Sequence, residues 1–349
     1  MENWYALSSV EPGLKRTKKL LFNPIRIRLW LKLALIVFLM GLGGGGGNFN
    51  TRVGSGDFSS IAEDLHIPQW ISGDVLLIAF IVIVFIVSLV LIFTYISAVF
   101  SFIFLDSVVR EKTEIVAGLK RFFGNGFSLF LFRLVLGISA FLMAVIIILV
   151  SFSPLILSLL GYLELSQGIT LFLVIFGLLI AVALIIPLSV FTGLIHSFTD
   201  DFVVPVMYLR GDGLIDGWKK LIRLIKKDWL QFLLYVVINL CLHLISGIVY
   251  FILSMTVSVV CLVILLLIAV AVVAVFLVFL ALSVDVWGIL SSISAPLLIC
   301  IILFVIFISL LLSYIIILVN LPIYVFFRYY TILFIQKVDP ELSIIKGKG

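Results

Sequence analysis

The chain has 349 residues, of which 64% are hydrophobic and 12% charged, with a net charge of +5 and a mean hydropathy of +1.39. Soluble domains are about 45–50% apolar and about 25% charged, so lipid has to be the solvent for most of this surface. The three cysteines, Cys241, Cys261 and Cys300, all lie in apolar stretches, which excludes a disulfide framework and a cysteine-based zinc site of the usual spacing.

Residues 1–28 form a basic N-terminal segment, and residues 1–32 hold seven of the 23 Lys and Arg residues. No small-residue cleavage site follows, so an uncleaved segment is expected. The first apolar segment, 29–45, runs into Gly43–Gly47. Successive glycines cost a helix about 1 kcal/mol each relative to alanine, so this run reads as a helix terminator. It is no phosphate loop, because no Lys-Ser/Thr follows. Residues 48–73, with Asp57, Glu63, Asp64 and His66, are too few to fold as a domain.

Further apolar segments follow at 74–105, 127–160, 168–198, 229–254, 256–283 and 297–335. Residues 75–105, 169–199, 229–284 and 286–327 contain no Asp, Glu, Lys or Arg, and residues 127–163 contain only Arg133. Each exceeds the roughly 20 residues that span a hydrocarbon core of about 30 Å. Backbone groups in lipid must be satisfied within the segment, and the stretches lack the alternation of barrel strands. The expected fold is therefore all-α, a polytopic transmembrane helical bundle of seven apolar segments, six or seven of them crossing, in one integral membrane domain over 1–349. Arg133, one or two turns inside its segment, is expected to snorkel to the interface.

Basic residues concentrate in 1–32, in 106–126 and in 199–228. The positive-inside rule then places the N-terminus and both loops in the cytoplasm of a multi-pass cell-membrane protein. The same flanking pattern makes the net positive charge no argument for nucleic acid. Seven crossings would leave the tail outside, whereas Arg328, Lys337, Lys346 and Lys348 argue for inside. Segment 297–335, about 60 Å long as one helix, must tilt, kink near Pro322 or project from the bilayer.

The two basic loops resemble one another. Ile115, Val116, Leu119, Phe122 and Phe123 repeat as Leu214, Ile215, Trp218, Leu221 and Ile222, and Gly118, Lys120 and Arg121 repeat as Gly217, Lys219 and Lys220. Upstream, Asp106, Val108 and Val109 resemble Asp201, Val203 and Val204. An internal repeat of 74–160 and 168–254 is expected. Each loop carries an amphipathic elbow helix. In the second, Asp216, Lys219, Lys220, Arg223, Lys226 and Lys227 oppose the apolar face. Such helices lie in the interface, with lysines near anionic lipid headgroups.

Candidate functional residues form two groups. Gln231, Tyr235, Asn239, His243, Ser246 and Tyr250 recur at steps of three and four and so share one helix face. An intramembrane histidine marks a candidate site, and interhelical hydrogen bonding is the plainer use of such a stripe. His196, Asp200, Asp201 and Arg210 form a second polar cluster at the cytoplasmic end of the fourth segment. Ser189 and Thr192 share its face, as Thr94, Ser97 and Ser101 do in the second segment and Ser309, Ser313, Asn320, Tyr324 and Arg328 in the last. Convergence of these faces would enclose a polar cavity. No metal or cofactor motif occurs.

Trp30-Leu31-Lys32-Leu33-Ala34 before Gly43–Gly47, the run Asp201 to Met207, and Pro322 with Arg328-Tyr329-Tyr330 resemble an uncharacterised, largely archaeal family of polytopic membrane proteins. A looser resemblance is to the membrane region associated with glycerophosphodiester phosphodiesterases, whose proline-containing last span ends on the cytoplasmic side; residues 256–283 depart from it. Neither resemblance implies catalytic residues. The expected function is a non-enzymatic scaffold or accessory subunit, with membrane proteins or a second copy as partners. The alternatives are a transporter or channel around His243 and Asn239, and a lipid-modifying enzyme built on His196, Asp200, Asp201 and Arg210.

Overall fold

Apolar, charge-free stretches have no means of satisfying their peptide groups in lipid except along their own axis, and they fold as long helices. A computed structural model describes residues 4–42, 73–159, 161, 166–211, 213–281 and 295–342. Gly43–Gly47 and nearly all of 48–73 lie outside the described residues.

The helices are α1 (Tyr5–Ser8), α2 (Val10–Phe22), α3 (Ile27–Gly41), α4 (Gly73–Arg110), α5 (Ile115–Ser151), α6 (Ser153–Leu159) and α7 (Gln167–Phe198). A π-helical turn at Thr199–Val203 leads into α8 (Val204–Arg210), followed by α9 (Leu214–Lys227), α10 (Trp229–Ala281) and α11 (Ala295–Val338). Among the described residues, five helical stretches are long and apolar enough to cross a membrane: Phe80–Arg110, Ile115–Ser151, Gly168–Leu209, Trp229–Ile264 and Leu303–Val338. The chain is a multi-pass α-helical membrane protein.

Three expectations change. The segment 229–254 and the described part of 256–283, to Ala281, belong to one continuous helix, α10, of 53 residues, because nothing between them breaks an apolar helix. The first segment is a helix of 15 residues over its described part, with Leu33, Ala34, Ile36 and Val37 fully buried. The first elbow is not a separate helix: residues 115–123 are the opening turns of α5. Only the second elbow, α9, stands alone, ending at a bend at Asp228.

The chain divides into two compact units. One comprises Met1–Phe38, Asp106–Thr113 and Ile225–Gly349, the other Leu39–Leu105 and Glu114–Leu224. In the first, α1 and α2 run along the C-terminal part of α11. Lys337 Nζ donates to Ser8 Oγ at 2.7 Å, Gly13 abuts Phe326 and Tyr330, and the Tyr5 amide donates to Gln231 Oε1 at 3.2 Å. The N-terminal helices and the end of α11 therefore lie at the same end of this unit. On α11, Leu303, Phe304, Val305 and Phe307 are exposed, whereas Leu321, Val325, Tyr330, Ile332 and Phe334 are fully buried. This helix turns apolar side chains outward over Leu303–Phe307 and packs on protein over its second half.

The second unit packs the same way. Phe80 to Phe93 on α4 and Val135 to Val150 on α5 include a run of exposed apolar side chains, while Phe102, Leu105, Phe122 and Leu129 are buried. The buried face of α5 runs Gly118, Phe122, Gly126, Leu129, Arg133, a helical stripe that faces α4. A Cβ on Gly126 would stand 2.9 Å from the Val99 backbone. Only glycine lets the two helices approach so closely here, the usual device of membrane helix pairs.

Candidate functional site

Arg133 is the only charge in its apolar stretch, and an unpaired guanidinium at that depth costs several kcal/mol. The structure resolves this by enclosure. The side chain is 5% exposed. Nη1 donates to Ser97 Oγ at 3.2 Å, and Nη2 donates to Ser101 Oγ at 3.1 Å and to Asp200 Oδ1 at 2.8 Å. The expectation that Arg133 snorkels to an interface is thus corrected. Its side chain follows the tilt of helical side chains toward the N-terminus of their own helix, and there it meets a carboxylate and two hydroxyls.

Each partner is itself held. Ser97 Oγ donates to the Met40 carbonyl and Ser101 Oγ to the Ser97 carbonyl. Asp200 Oδ2 stands 3.3 Å from His196 Nδ1, one helical turn away. Asp200 lies in the π-helical turn, whose wider i→i+5 winding adds a residue to the helix. Asp201, next in sequence, accepts from Ser197 Oγ at 3.2 Å. Arginine, two serines and a carboxylate thus fasten α4, α5 and the end of α7. A charge-assisted, largely buried set of this kind is stronger than a neutral contact.

The expected polar cluster is therefore met in part. His196 and Asp200 are together, and Asp201 pairs with Ser197. The Arg210 side chain lies outside the described residues, and the cation at Asp200 is Arg133. The Ser97–Ser101 face and the His196–Asp200 face do meet, but the Arg133 guanidinium occupies the space between them. Thr94, Ser189 and Thr192 bond to carbonyls of their own helices. The signal that pairs Arg133 with Asp200 was present in the sequence as a lone arginine in one span and an aspartate closing a charge-free one, but the register between helices was not.

The stripe on α10 faces α11. Tyr235 is 1% exposed, its hydroxyl 3.0 Å from Thr331 Oγ1 and its ring stacked on Tyr330 at 5.4 Å. His243 Nδ1 donates to the Asn239 carbonyl at 2.7 Å, and its ring lies over Phe327 at 4.1 Å. Ser246 Oγ donates to the His243 carbonyl, and Tyr250 bonds to Tyr324. Gln231 receives the Tyr5 amide.

On α9, Leu214, Gly217 and Leu221 are buried, and Ile215 and Ile222 are exposed beside Lys219, Arg223, Lys226 and Lys227. Lys220 is 9% exposed, which corrects its expected place among the surface-facing lysines: three residues after the buried Gly217 and one before the buried Leu221, it sits on the protein side. Sequence periodicity merged two faces here, one packed on protein and one turned outward.

Among the described residues, no group of three or more His, Cys, Asp and Glu could hold a metal ion. No curated protein and no solved structure matches the chain. With five helices able to cross a membrane and a match extending over residues 4–345, the chain belongs to a family of unknown function (DUF7544).

Proposed function

We propose that this protein is a non-enzymatic scaffold or accessory subunit of the cell membrane, assembling with other membrane proteins through the exposed apolar faces of its helices. The observation that carries this reading is the Arg133 network: a buried guanidinium within the spans is spent on joining three helices of its own unit. The α10 stripe supports it in the same way, with Tyr235 and His243 engaged against α11 or the backbone. Extraction in a mild detergent or in native nanodiscs should recover the protein with stoichiometric membrane partners. A protein that purifies alone and drives solute flux in liposomes, lost in His243→Ala, would sink the reading in favour of a transporter.

The basic residues of 1–32 and of both loops support a cytoplasmic N-terminus. The contact of Ser8 with Lys337 supports the same side for the end of α11, in keeping with Arg328 and Lys337. The looser resemblance to the phosphodiesterase-associated region favours the same side.

An internal repeat is supported by local geometry. Glu111 and Gly211 both turn the chain with positive φ, 55° and 69°. A Cβ on Gly118 would press on Ile103 at 3.0 Å, and one on Gly217 on Val203 at 2.9 Å.

A further inference from the structure

In the first unit, α2 does not lie flush on α11. Beside Pro322 a groove of about 640 Å³ is bordered by α2, α10 and α11, lined by Leu14, Lys15, Phe22, Ser246, Pro322 and Phe326 among others. That volume falls within the roughly 300–1,000 Å³ of small-molecule sites. Its walls are almost wholly apolar side chain, including the aliphatic stems of Lys15 and Lys18. Long basic side chains commonly cover apolar surface with their stems while the charged head stays outside.

The place is as informative as the lining. Leu14 and Phe22 remain about half exposed on α2, so the groove is open along its side. Pro322 and Phe326 belong to the stretch where α11 passes from the exposed apolar Leu303–Leu311 to the buried Val325–Val338. The groove thus lies where the outward apolar face of α11 gives way to its protein-packed part. Among the described residues Lys15 pairs with Glu11, at 2.6 Å with both side chains about three-quarters exposed. Such exposed pairs are weak and exchange partners readily.

We infer that this groove binds an anionic phospholipid, one hydrocarbon chain lying against Phe22, Pro322 and Phe326 and the phosphate held by Lys15 and Lys18. The apolar walls suit a chain and offer nothing to a polar solute. The basic rim selects an anionic head over a zwitterionic one and disfavours a cationic peptide. The N-terminal basic segment then has a task beyond orientation: it clamps a lipid against the last span.

The test uses the full chain, purified in detergent and titrated with phosphatidylglycerol or with phosphatidylcholine of the same chains, read by native mass spectrometry. Phosphatidylglycerol should be retained preferentially. Removing both cations in Lys15→Ala with Lys18→Ala should weaken it roughly tenfold or more, whereas Lys219→Ala with Lys226→Ala on α9 should leave this site unchanged. Ser246→Trp, which fills the groove, should abolish it. Should these variants misfold, a photoactivatable phosphatidylglycerol on the wild-type chain should label residues 14–22 and 322–326. Equal retention of both lipids, labelling confined to other segments, or full displacement by glycerol phosphate alone would overturn the inference. Displacement by an acidic amphipathic peptide but not by phosphatidylglycerol would assign the groove to a protein instead.

Discussion

Asp200 accepts a 2.8 Å hydrogen bond from Arg133 Nη2 while its other oxygen faces His196. Two charges that would each be costly in an apolar bundle are thereby made mutually dependent. Losing either leaves the other enclosed and uncompensated, which typically costs about 3–5 kcal/mol. Arg133→Leu and Asp200→Asn should each lower the thermal midpoint of the detergent-solubilised protein by many degrees. The double variant Arg133→Leu with Asp200→Asn should be less damaged than the sum of its parts. Strict additivity in that cycle would show that the pair does not act as a unit.

Close approach of α4 and α5 depends on Gly126, whose Cβ would collide with the Val99 side chain and backbone. Gly126→Ala should destabilise by about 1–3 kcal/mol through overpacking. Gly124, two residues earlier, has open space where its Cβ would be. Gly124→Ala should be neutral or stabilise by up to about 1 kcal/mol, since alanine favours the helix. Chemical denaturation in mixed micelles compares the two, and equal losses would contradict the assigned packing.

Tyr235 joins α10 to α11 by ring and by hydroxyl. Tyr235→Phe keeps the rings and should cost only about 0.5–1 kcal/mol, the usual value of a hydrogen bond between membrane helices. Tyr235→Ala removes a buried aromatic and should cost about 3–5 kcal/mol. A phenylalanine as harmful as alanine would mean that the hydroxyl carries the contact.

His243 bonds to its own helix's carbonyl and stacks on Phe327. His243→Phe should therefore preserve folding to within about 1.5 kcal/mol, as volume-conserving swaps generally do. The same variant separates structure from transport. If liposome flux exists and His243→Phe abolishes it in a stable protein, the ring has a role that packing does not describe.

The contact of Ser8 with Lys337 makes a topological prediction. After replacement of the native cysteines, single cysteines at Glu11 and Asp339 should react with a membrane-impermeant maleimide from the same side of the bilayer. Labelling from opposite sides would separate the N-terminal helices from the end of α11 and exclude the packing of the first unit.

Much of this fold was legible in one dimension. The segments that meet lipid announce themselves by lacking charge, because hydrocarbon penalises every unsatisfied polar group irrespective of its neighbours. Helicity follows from the same fact, and the amphipathic pattern of Leu214–Lys227 marks a helix with an outward basic face. Registers between helices leave no such trace. That Arg133 meets Ser97, Ser101 and Asp200 depends on how closely Gly126 lets α4 approach α5, and on a π-helical turn at Thr199–Val203. Continuity was also hidden: the apolar composition of 229–283 is the same for two helices or one, and only the tertiary structure shows α10 unbroken. The side of the tail was undecided by charge because counting crossings and counting lysines disagreed. The packing of α1 and α2 along α11 puts the end of α11 beside the N-terminal helices within the first unit, and a contact in space, unlike a hydropathy pattern, does not depend on how many spans intervene.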